Sequence, residues 1–272
     1  MSISPPLPHA DRPTEDVQGH WLLARLGKRV LRPGGAGLTR RLLDAASVPE
    51  ADVVELAPGL GRTAAWIVKE GPRSYTGVDR DPDAARLVDK VVARHGSVRV
   101  GDAATTGLAD ACADVVVGEA MLTMQSDRGK RAIVAEAVRV LRPGGRYAIH
   151  ELAITPDDIS TKVSDQIRRE LAQSIRVNAR PMTAAQWRTL LTDAGLVVDW
   201  TGTAPMALLQ FRRNLADEGI VGTLRIIGNI VRDREARRRV LGMRATFIRH
   251  RDVLTGIALV AHRPDKENDE QR

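Results

Sequence analysis

Cysteine is nearly absent from this chain of 272 residues, which contains only Cys112. A single cysteine excludes an internal disulfide and a metal site built from several thiolates, and we expect no metal. It also indicates a reducing compartment, so we expect the protein in the cytoplasm. The sequence has no apolar run of about 18 residues, and its N-terminus lacks the apolar core of a secretion signal. We therefore expect neither export nor stable membrane insertion.

Aromatic residues and lysines are also scarce. Aromatics make up 3% of the chain, which disfavours a surface on which single-stranded nucleic acid stacks its bases. Only six of the 41 basic residues are lysines, so the net charge of +7 is carried by arginine. Such a charge is weak evidence for a nucleic-acid partner, because a solvated surface encoded by GC-rich DNA has the same composition. The hydrophobic share of 43% is enough for a sizeable core.

Residues 52–64 combine a short apolar run, a glycine turn and the start of a helix. The apolar run predicts a strand in which Glu55 is embedded. The turn residues are Pro58, Gly59 and Gly61. Glycine accepts a positive φ and has no Cβ, and a helix start offers free N–H groups, so this turn can approach a polar ligand closely. The stretch predicts a site for a nucleotide-like ligand.

Strands and helices alternate after this stretch. Further strands are predicted at residues 74–79, 98–102, 114–119 and 146–152. The predicted strand ends carry the acids Glu55, Asp79, Asp102, Glu119 and Glu151. Alternation of this kind implies a parallel sheet with helices on both faces, and such sheets bind ligands outside the carboxyl ends of their strands. The acids are therefore predicted to lie at the edge that binds the ligand.

The remaining segments depart from this repeat. Helical additions are predicted at residues 16–48, 156–182 and 208–250, and the last strands at about 196–201 and 253–261. Flexible tails are predicted at residues 1–15 and 264–272. We expect one α/β domain over residues 16–263. Its sheet is predicted to be Rossmann-like, seven-stranded and mostly parallel, with helical additions at the N-terminus and between the last strands.

A dinucleotide is the first alternative for the ligand. Residues 59–64 match G-x-G-x-x-A, and Asp79 lies near the position of an acid that binds ribose. Two features disfavour it. Three residues separate Glu55 from the first glycine, which in a dinucleotide fold follows the strand almost directly. The later acids, Asp102 and Glu119, have no regular use in that fold.

Taken in order, the motifs between residues 53 and 152 resemble those of the class I S-adenosylmethionine (SAM)-dependent methyltransferases. They are residues 53–61, Gly77-Val78-Asp79, Gly101-Asp102-Ala103, residues 114–119, and the turn from Val140 to Arg146. The last is similar to the turn of the small-molecule branch that contains ubiquinone and menaquinone C-methyltransferases. Ala57 stands where the family usually has its first glycine. The resemblance implies methyl transfer from SAM to a small or lipid-like acceptor.

The same resemblance implies a set of cofactor-binding residues. Asp79 is expected to accept hydrogen bonds from both ribose hydroxyls, and Asp102 from the adenine amine, since carboxylates only accept. Glu55 is expected to meet the methionine ammonium group. The full set is Glu55, Ala57, Pro58, Gly59, Gly61, Asp79, Arg80, Asp102, Ala103, Glu119 and Ala120.

Methyl transfer from a sulfonium is an in-line displacement, in which positioning alone can contribute about 7–11 kcal/mol. A hydroxyl acceptor also needs a base, for which Glu119, His150 and Glu151 are the candidates. Adjacent strand residues point to opposite faces, so one of His150 and Glu151 is expected to miss the cleft. Substrate contacts are predicted for Met121, Gln125, Arg180 and Met182. Together with Met124 and Met206, these methionines form either an adaptable apolar pocket or ordinary core.

Residues 211–251 contain 11 arginines against four acids. Three interpretations remain open: a solvated helix face, a cradle for an anionic acceptor or partner, and an RNA-binding surface. The Asn/Asp-Pro-Pro-Tyr type of motif is absent after the fourth strand, which disfavours a base amine as acceptor, and we expect no nucleic-acid partner. The alternatives to a small-molecule enzyme are an RNA methyltransferase and a protein that binds SAM without catalysis.

Overall fold

A computed structural model describes residues 13–14, 16–28, 32–206 and 211–265, without the side chains of 211–218. The predicted tails lie almost entirely outside the described residues. The extent of the domain, residues 16–263, stays a prediction.

Eight strands form one sheet in the part of the chain that the structure describes. Their bounds are β1 Asp52–Leu56, β2 Ser74–Asp79, β3 Gly96–Val100, β4 Ala113–Glu119, β5 Leu141–Ile154, β6 Met182–Thr183, β7 Val197–Pro205 and β8 Leu254–His262. The order is β3-β2-β1-β4-β5-β8-β7, and the short β6 pairs with the end of β5. All neighbours from β3 to β5 are parallel, whereas β8 is antiparallel to β5 and β7. The mostly parallel α/β sheet is confirmed, with β6 added to the seven strands predicted.

Helices cover both faces of the sheet because its strands are apolar on both sides. The helices are α1 Gly19–Arg25, α2 Gly35–Ala46, α3 Arg62–Lys69, α4 Pro82–Val92, α5 Asp127–Val140, α6 Thr161–Ile175, α7 Ala184–Thr192, α8 Phe211–Arg232 and α9 Arg234–Arg249. In β1, Val54 packs in the cluster that contains α5 and α7, and Val53 packs in the cluster that contains α2, α3 and α4. This alternation follows from the two-residue period of a strand.

The helical additions form a cap, which we define as α1, α6, α8 and α9. Helix α1 packs against α6 and α9, and α8 packs against α9. One apolar cluster joins Trp21 of α1 to Met243 of α9. A second joins Leu171 of α6 to Leu152 at the carboxyl end of β5. The cap therefore closes over the edge of the sheet at which the parallel strands end.

Several local predictions were wrong. Strand β3 ends at Val100, so Asp102 lies beyond it. Strand β5 continues to Ile154 because β8 pairs with it that far, so Glu151 lies inside a strand and not at its end. The segment 142–145, predicted as a turn, bulges out of β5 where its pairing with β4 shifts.

Candidate active site

A cavity of about 790 Å³ lies between the carboxyl edge of the sheet and the cap. On the sheet side it is lined by residues at or just after the ends of β1, β2, β3 and β4. Strand order reverses between β1 and β4, and such a reversal opens a crevice at the carboxyl ends of the strands. On the cap side it is lined by side chains of α1, α6 and α9. The topology thus makes one cavity with two different walls.

Asp79 ends β2 and holds the glycine turn in place. Its carboxylate accepts the backbone N–H of Gly59 at 3.0 Å and that of Asp81 at 2.9 Å. Burial raises the pKa of Asp79, and these two N–H groups oppose the rise. The turn itself uses Gly59 at φ +57° and Gly61 at φ +69°, where α3 begins. Asp79 and Gly59 line the cavity, so the carboxylate keeps lone pairs available to a ligand.

Ala57 and Ala120 follow neighbouring strands, β1 and β4, and both adopt left-handed backbone conformations. Their φ angles are +53° and +54°. Such a conformation costs a residue with a Cβ about 1–2 kcal/mol, and it is held here because each N–H bonds to a strand carbonyl, of Val78 and His150 respectively. Both residues line the cavity. Ala57 therefore fills a position whose backbone would suit glycine better.

Glu55 is a buried carboxyl group on the cavity wall. Burial raises its pKa to about 8, and the hydrogen bond from the Tyr75 hydroxyl, at 2.6 Å, opposes the rise. With that pKa the group keeps its proton at neutral pH. A cation brought next to it favours the carboxylate and releases that proton.

Glu119, the last residue of β4, is the centre of a buried polar cluster. Its carboxylate accepts from the Arg32 guanidinium and from the hydroxyls of Thr63 and Thr39, the last at 2.5 Å. Burial opposes ionisation, but Arg32 and His150 outweigh it and hold the pKa of Glu119 at about 2. Glu119 is thus a fixed anion, and a carboxyl with so low a pKa accepts a proton poorly at neutral pH.

His150 lies on β5 beside Glu119 and is fully buried. Its Nδ1 lies 2.8 Å from Glu119 Oε1, and its Nε2 contacts the carbonyl oxygen of Pro33. Nδ1 also lies 3.2 Å from the hydroxyl oxygen of Thr39, so the ring joins Glu119, Thr39 and Pro33 in one buried network. His150 is not among the residues that line the cavity. Its geometry fits support of Glu119 better than proton transfer, and its catalytic role stays a prediction.

Glu151 points to the opposite side of β5 and binds the loop after β4. One oxygen accepts the N–H groups of Met121 and Leu122 at 3.0 and 2.8 Å. The other accepts the N–H and hydroxyl of Thr123 at 3.0 and 2.7 Å. Burial raises the pKa of Glu151, and these donors oppose the rise. Glu151 is buried and absent from the cavity lining, so it positions residues 121–123, and its catalytic role also stays a prediction.

The cavity brings together most of the other predicted residues. Those that line it are Pro58, Arg80, Asp102, Ala103, Met121 and Gln125. Gly61 lies one position before α3 and outside the lining. Arg180 and Met182 also lie outside it: the Arg180 N–H donates to the carbonyl of Thr123 at 2.7 Å, and Met182 begins β6. Their contact with a substrate stays a prediction.

Several lining residues were missed by the sequence reasoning. They include His20 and Trp21 of α1, Arg32, Ile175 of α6, and Met243 and Phe247 of α9. Arg32 opens an Arg-Pro-Gly-Gly run, which as a sequence is typical of a helix end, and its guanidinium also lies over the Trp66 ring at 5.0 Å. The apolar residues carry no motif, because their helical spacing predicts burial but not what they are buried against.

Comparison with known proteins identifies the family. A model described as "Methyltransferase domain" matches residues 54–149, which include β1, β2, β3, β4 and much of β5. An uncharacterized protein of Haemophilus influenzae is 32% identical over 224 residues, covering 80% of this chain and 87% of that protein. The chain belongs to the SAM-dependent methyltransferases. SAM is its cofactor, and this decides the choice against a dinucleotide.

Solved structures agree with this family at the level of the fold. Phosphoethanolamine N-methyltransferase 2 of Haemonchus contortus superimposes with a TM-score of 0.69 at 14% identity, covering 94% of this methyltransferase and 59% of that chain. Geranyl diphosphate methyltransferase in complex with SAM superimposes with a TM-score of 0.59 at 16% identity, covering 84% of each chain. No helix in the described ranges has both the length and the apolar content needed to cross a membrane.

Proposed function

We propose that this methyltransferase acts on a small, largely apolar and uncharged acceptor, which binds between the cofactor and the cap. The observation that carries this proposal is the lining of the cap side. Its apolar members include Trp21, Leu23, Ile175, Met243 and Phe247, and Met124 and Met206 line the adjoining part of the cavity. Among the described residues that line this side, His20 is the only ionisable one. A cationic amine would find no carboxylate there, and its burial would be costly.

The sheet side fits SAM on the observations made above. Asp79 is held by two backbone N–H groups and has lone pairs left for the ribose diol. Asp102 and Ala103 line the cavity just beyond β3, and we propose that they bind the adenine ring. Glu55 is a buried carboxyl without a charge partner at hydrogen-bond distance among the described residues, and it suits an ammonium group. Glu119 and Ala120 are proposed to flank the methionine end, beside the acceptor.

The bound cofactor supplies an electrophilic methyl group on a sulfonium. The acceptor's nucleophilic atom forms the new bond to that methyl carbon while the carbon–sulfur bond breaks, and the electron pair stays on sulfur. The chain's part is to align the acceptor and exclude water, which its apolar cap wall does. A proton from a hydroxyl or an acidic carbon needs a base, and we assign that task to His20 because of its place on the acceptor side.

The test is transfer from labelled SAM to a panel of aromatic alcohols and quinols, cationic amines and RNA. We expect label in the apolar acceptors alone, including the quinone precursors implied by the small-molecule branch. Ile175→Ala and Phe247→Ala should raise the acceptor KM and leave the affinity for S-adenosylhomocysteine unchanged. The control, Val163→Ala, alters an exposed residue of α6 and should change neither. Label in the amines or the RNA would refute the proposed acceptor class.

The place of the protein in the cell is part of the same proposal. Cys112 is the only cysteine and is free. A lone thiol suits a reducing compartment, so we propose the cytoplasm. Fractionation of cells with a cytoplasmic marker checks this.

A further inference from the structure

Helix α8 exposes apolar side chains to solvent, which is the reverse of an ordinary surface helix. After a kink at Gly219, the relative exposures of Ile220, Val221, Leu224 and Val231 are 69%, 71%, 63% and 59%. At 100° per residue these side chains, with Ile227, fall on one face. The opposite face is used by the fold, since Thr223 and Ile226 are buried.

Helix α9 also exposes apolar side chains and carries charge. Leu241 and Ile248 are 54% and 45% exposed and lie on its outer face. Residues 219–251 contain nine arginines against two acids. Those that flank the apolar face are Arg225, Arg232, Arg234, Arg238 and Arg244. Within the described ranges, none of these five guanidinium groups lies within ion-pair distance of a carboxylate.

From this pattern we infer that the outer face of α8 and α9 is a docking surface for an anionic phospholipid bilayer. An apolar stripe flanked by arginines matches the two layers of such an interface, with acyl chains below and anionic headgroups around them. RNA would use the arginines but would leave the apolar stripe in water. The helices lie on the surface and do not cross the bilayer, in agreement with their length and composition.

Helix α9 lies between the cavity and the proposed docking surface. Its inner face contributes Met243 and Phe247 to the cavity, and its outer face carries Leu241 and Ile248. A single helix, about 10 Å thick, therefore separates the proposed acceptor wall from the docking surface. A bilayer bound there would hold an apolar acceptor close to the cavity. The docking itself does not depend on the acceptor, because vesicle binding is measured without one.

The experiment is flotation of the full chain with vesicles of phosphatidylcholine alone or with added phosphatidylglycerol. We expect binding to the anionic vesicles only, weakening as salt is added. Arg234→Glu with Arg238→Glu should weaken it at least about tenfold, since each arginine near an anionic surface contributes about fivefold in affinity. Leu224→Ser with Val231→Ser should weaken it similarly. These residues are exposed, so unchanged melting temperatures should verify folding.

Matched controls lie elsewhere on the chain. Arg94→Glu and Val197→Ser change residues of the same kind and exposure away from α8 and α9, and both should bind like the wild type. As a second measurement, Leu224→Cys in a Cys112→Ser background should show a blue-shifted fluorophore on anionic vesicles, and Val197→Cys should not. Absence of binding, equal binding by the paired variants, dimer formation through this face, or RNA binding in its place would each overturn the inference.

Discussion

Glu119 Oε1 and His150 Nδ1 lie 2.8 Å apart on adjacent parallel strands, in a cluster that Arg32 completes from the segment before α2. The cluster joins two strands of the sheet to the chain that leads into α2. Because it is buried, its charges are balanced by one another and not by water. Glu119 is thereby fixed as an anion at the cavity wall, which argues for a positioning role.

Glu119→Gln should lower the free energy of unfolding by about 3–5 kcal/mol, because it leaves the buried Arg32 charge without its partner. The depressed pKa sets the pH dependence. The stabilisation by Glu119 is fully present above its unfolded value of 4.5 and is lost as pH falls through about 2. The difference between wild type and variant in urea unfolding should shrink over that window.

The control for this prediction is Asp83→Asn, which removes the exposed pair of Asp83 with Arg86 and should cost less than about 1 kcal/mol. An equal effect of the two substitutions would disagree with the proposed cluster.

Binding of the cofactor should release a proton from Glu55. The empty site holds that proton up to a pKa of about 8, and an ammonium group next to it requires the carboxylate. The affinity for S-adenosylhomocysteine should therefore rise by up to about tenfold per pH unit as pH increases towards 8. Titration calorimetry in buffers of different ionisation enthalpy measures the proton directly.

Glu55→Gln serves as the comparison for this titration. It should bind more weakly and with no pH slope in this range. For the empty protein, a raised pKa contributes stability below 4.5 that is lost as pH rises through about 8, and the variant should lack this loss. A wild-type affinity that does not change with pH would remove Glu55 from the ammonium site.

Ala57→Gly should stabilise the protein by about 0.5 kcal/mol. Glycine removes the cost of the left-handed conformation, and its greater freedom in the unfolded chain cancels part of that gain. Ala132→Gly, on the exposed face of α5, is the matched substitution and should destabilise by about 1 kcal/mol. Thermal unfolding compares the two. Destabilisation at both positions would mean that the backbone at Ala57 is not strained.

Glu151→Gln should lower the free energy of unfolding by about 3 kcal/mol. The new amide group is itself a donor, and it is introduced where four donors already point at the Glu151 carboxylate. Thr123→Val removes only the hydroxyl group and should lower the free energy of unfolding by about 1 kcal/mol. Both should raise the acceptor KM, since Met121, Thr123, Met124 and Gln125 line the cavity, and leave S-adenosylhomocysteine affinity nearly unchanged. A loss of kcat with no change in stability would instead favour proton transfer by Glu151.

The sheet edge of the site was predictable from the sequence because strand ends are local features. An acid that follows an apolar run can be read from neighbouring residues, and topology then brings Glu55, Asp79 and Asp102 to one edge. The left-handed backbone at Ala57 agrees with the glycine that the family usually has at this position. Strand lengths were less predictable, since β5 reaches Ile154 only through pairing with a distant strand.

The cap and the buried cluster were not predictable, for a physical reason. The residues that bind the Glu119 carboxylate are Arg32, Thr39, Thr63 and His150. They are far apart in the sequence and share no sequence pattern. The positive charge of residues 211–251 can be counted directly from the sequence. The sequence does not show which way the apolar residues of this segment face, and only the structure shows that Leu224 and Val231 face solvent.

The most direct test of the account is a crystal structure of the methyltransferase with S-adenosylhomocysteine. The account predicts that both ribose hydroxyls bind the Asp79 carboxylate and that the sulfur faces the apolar wall formed by Ile175, Met206 and Phe247. A ligand bound elsewhere, or a sulfur turned away from that wall, would contradict it.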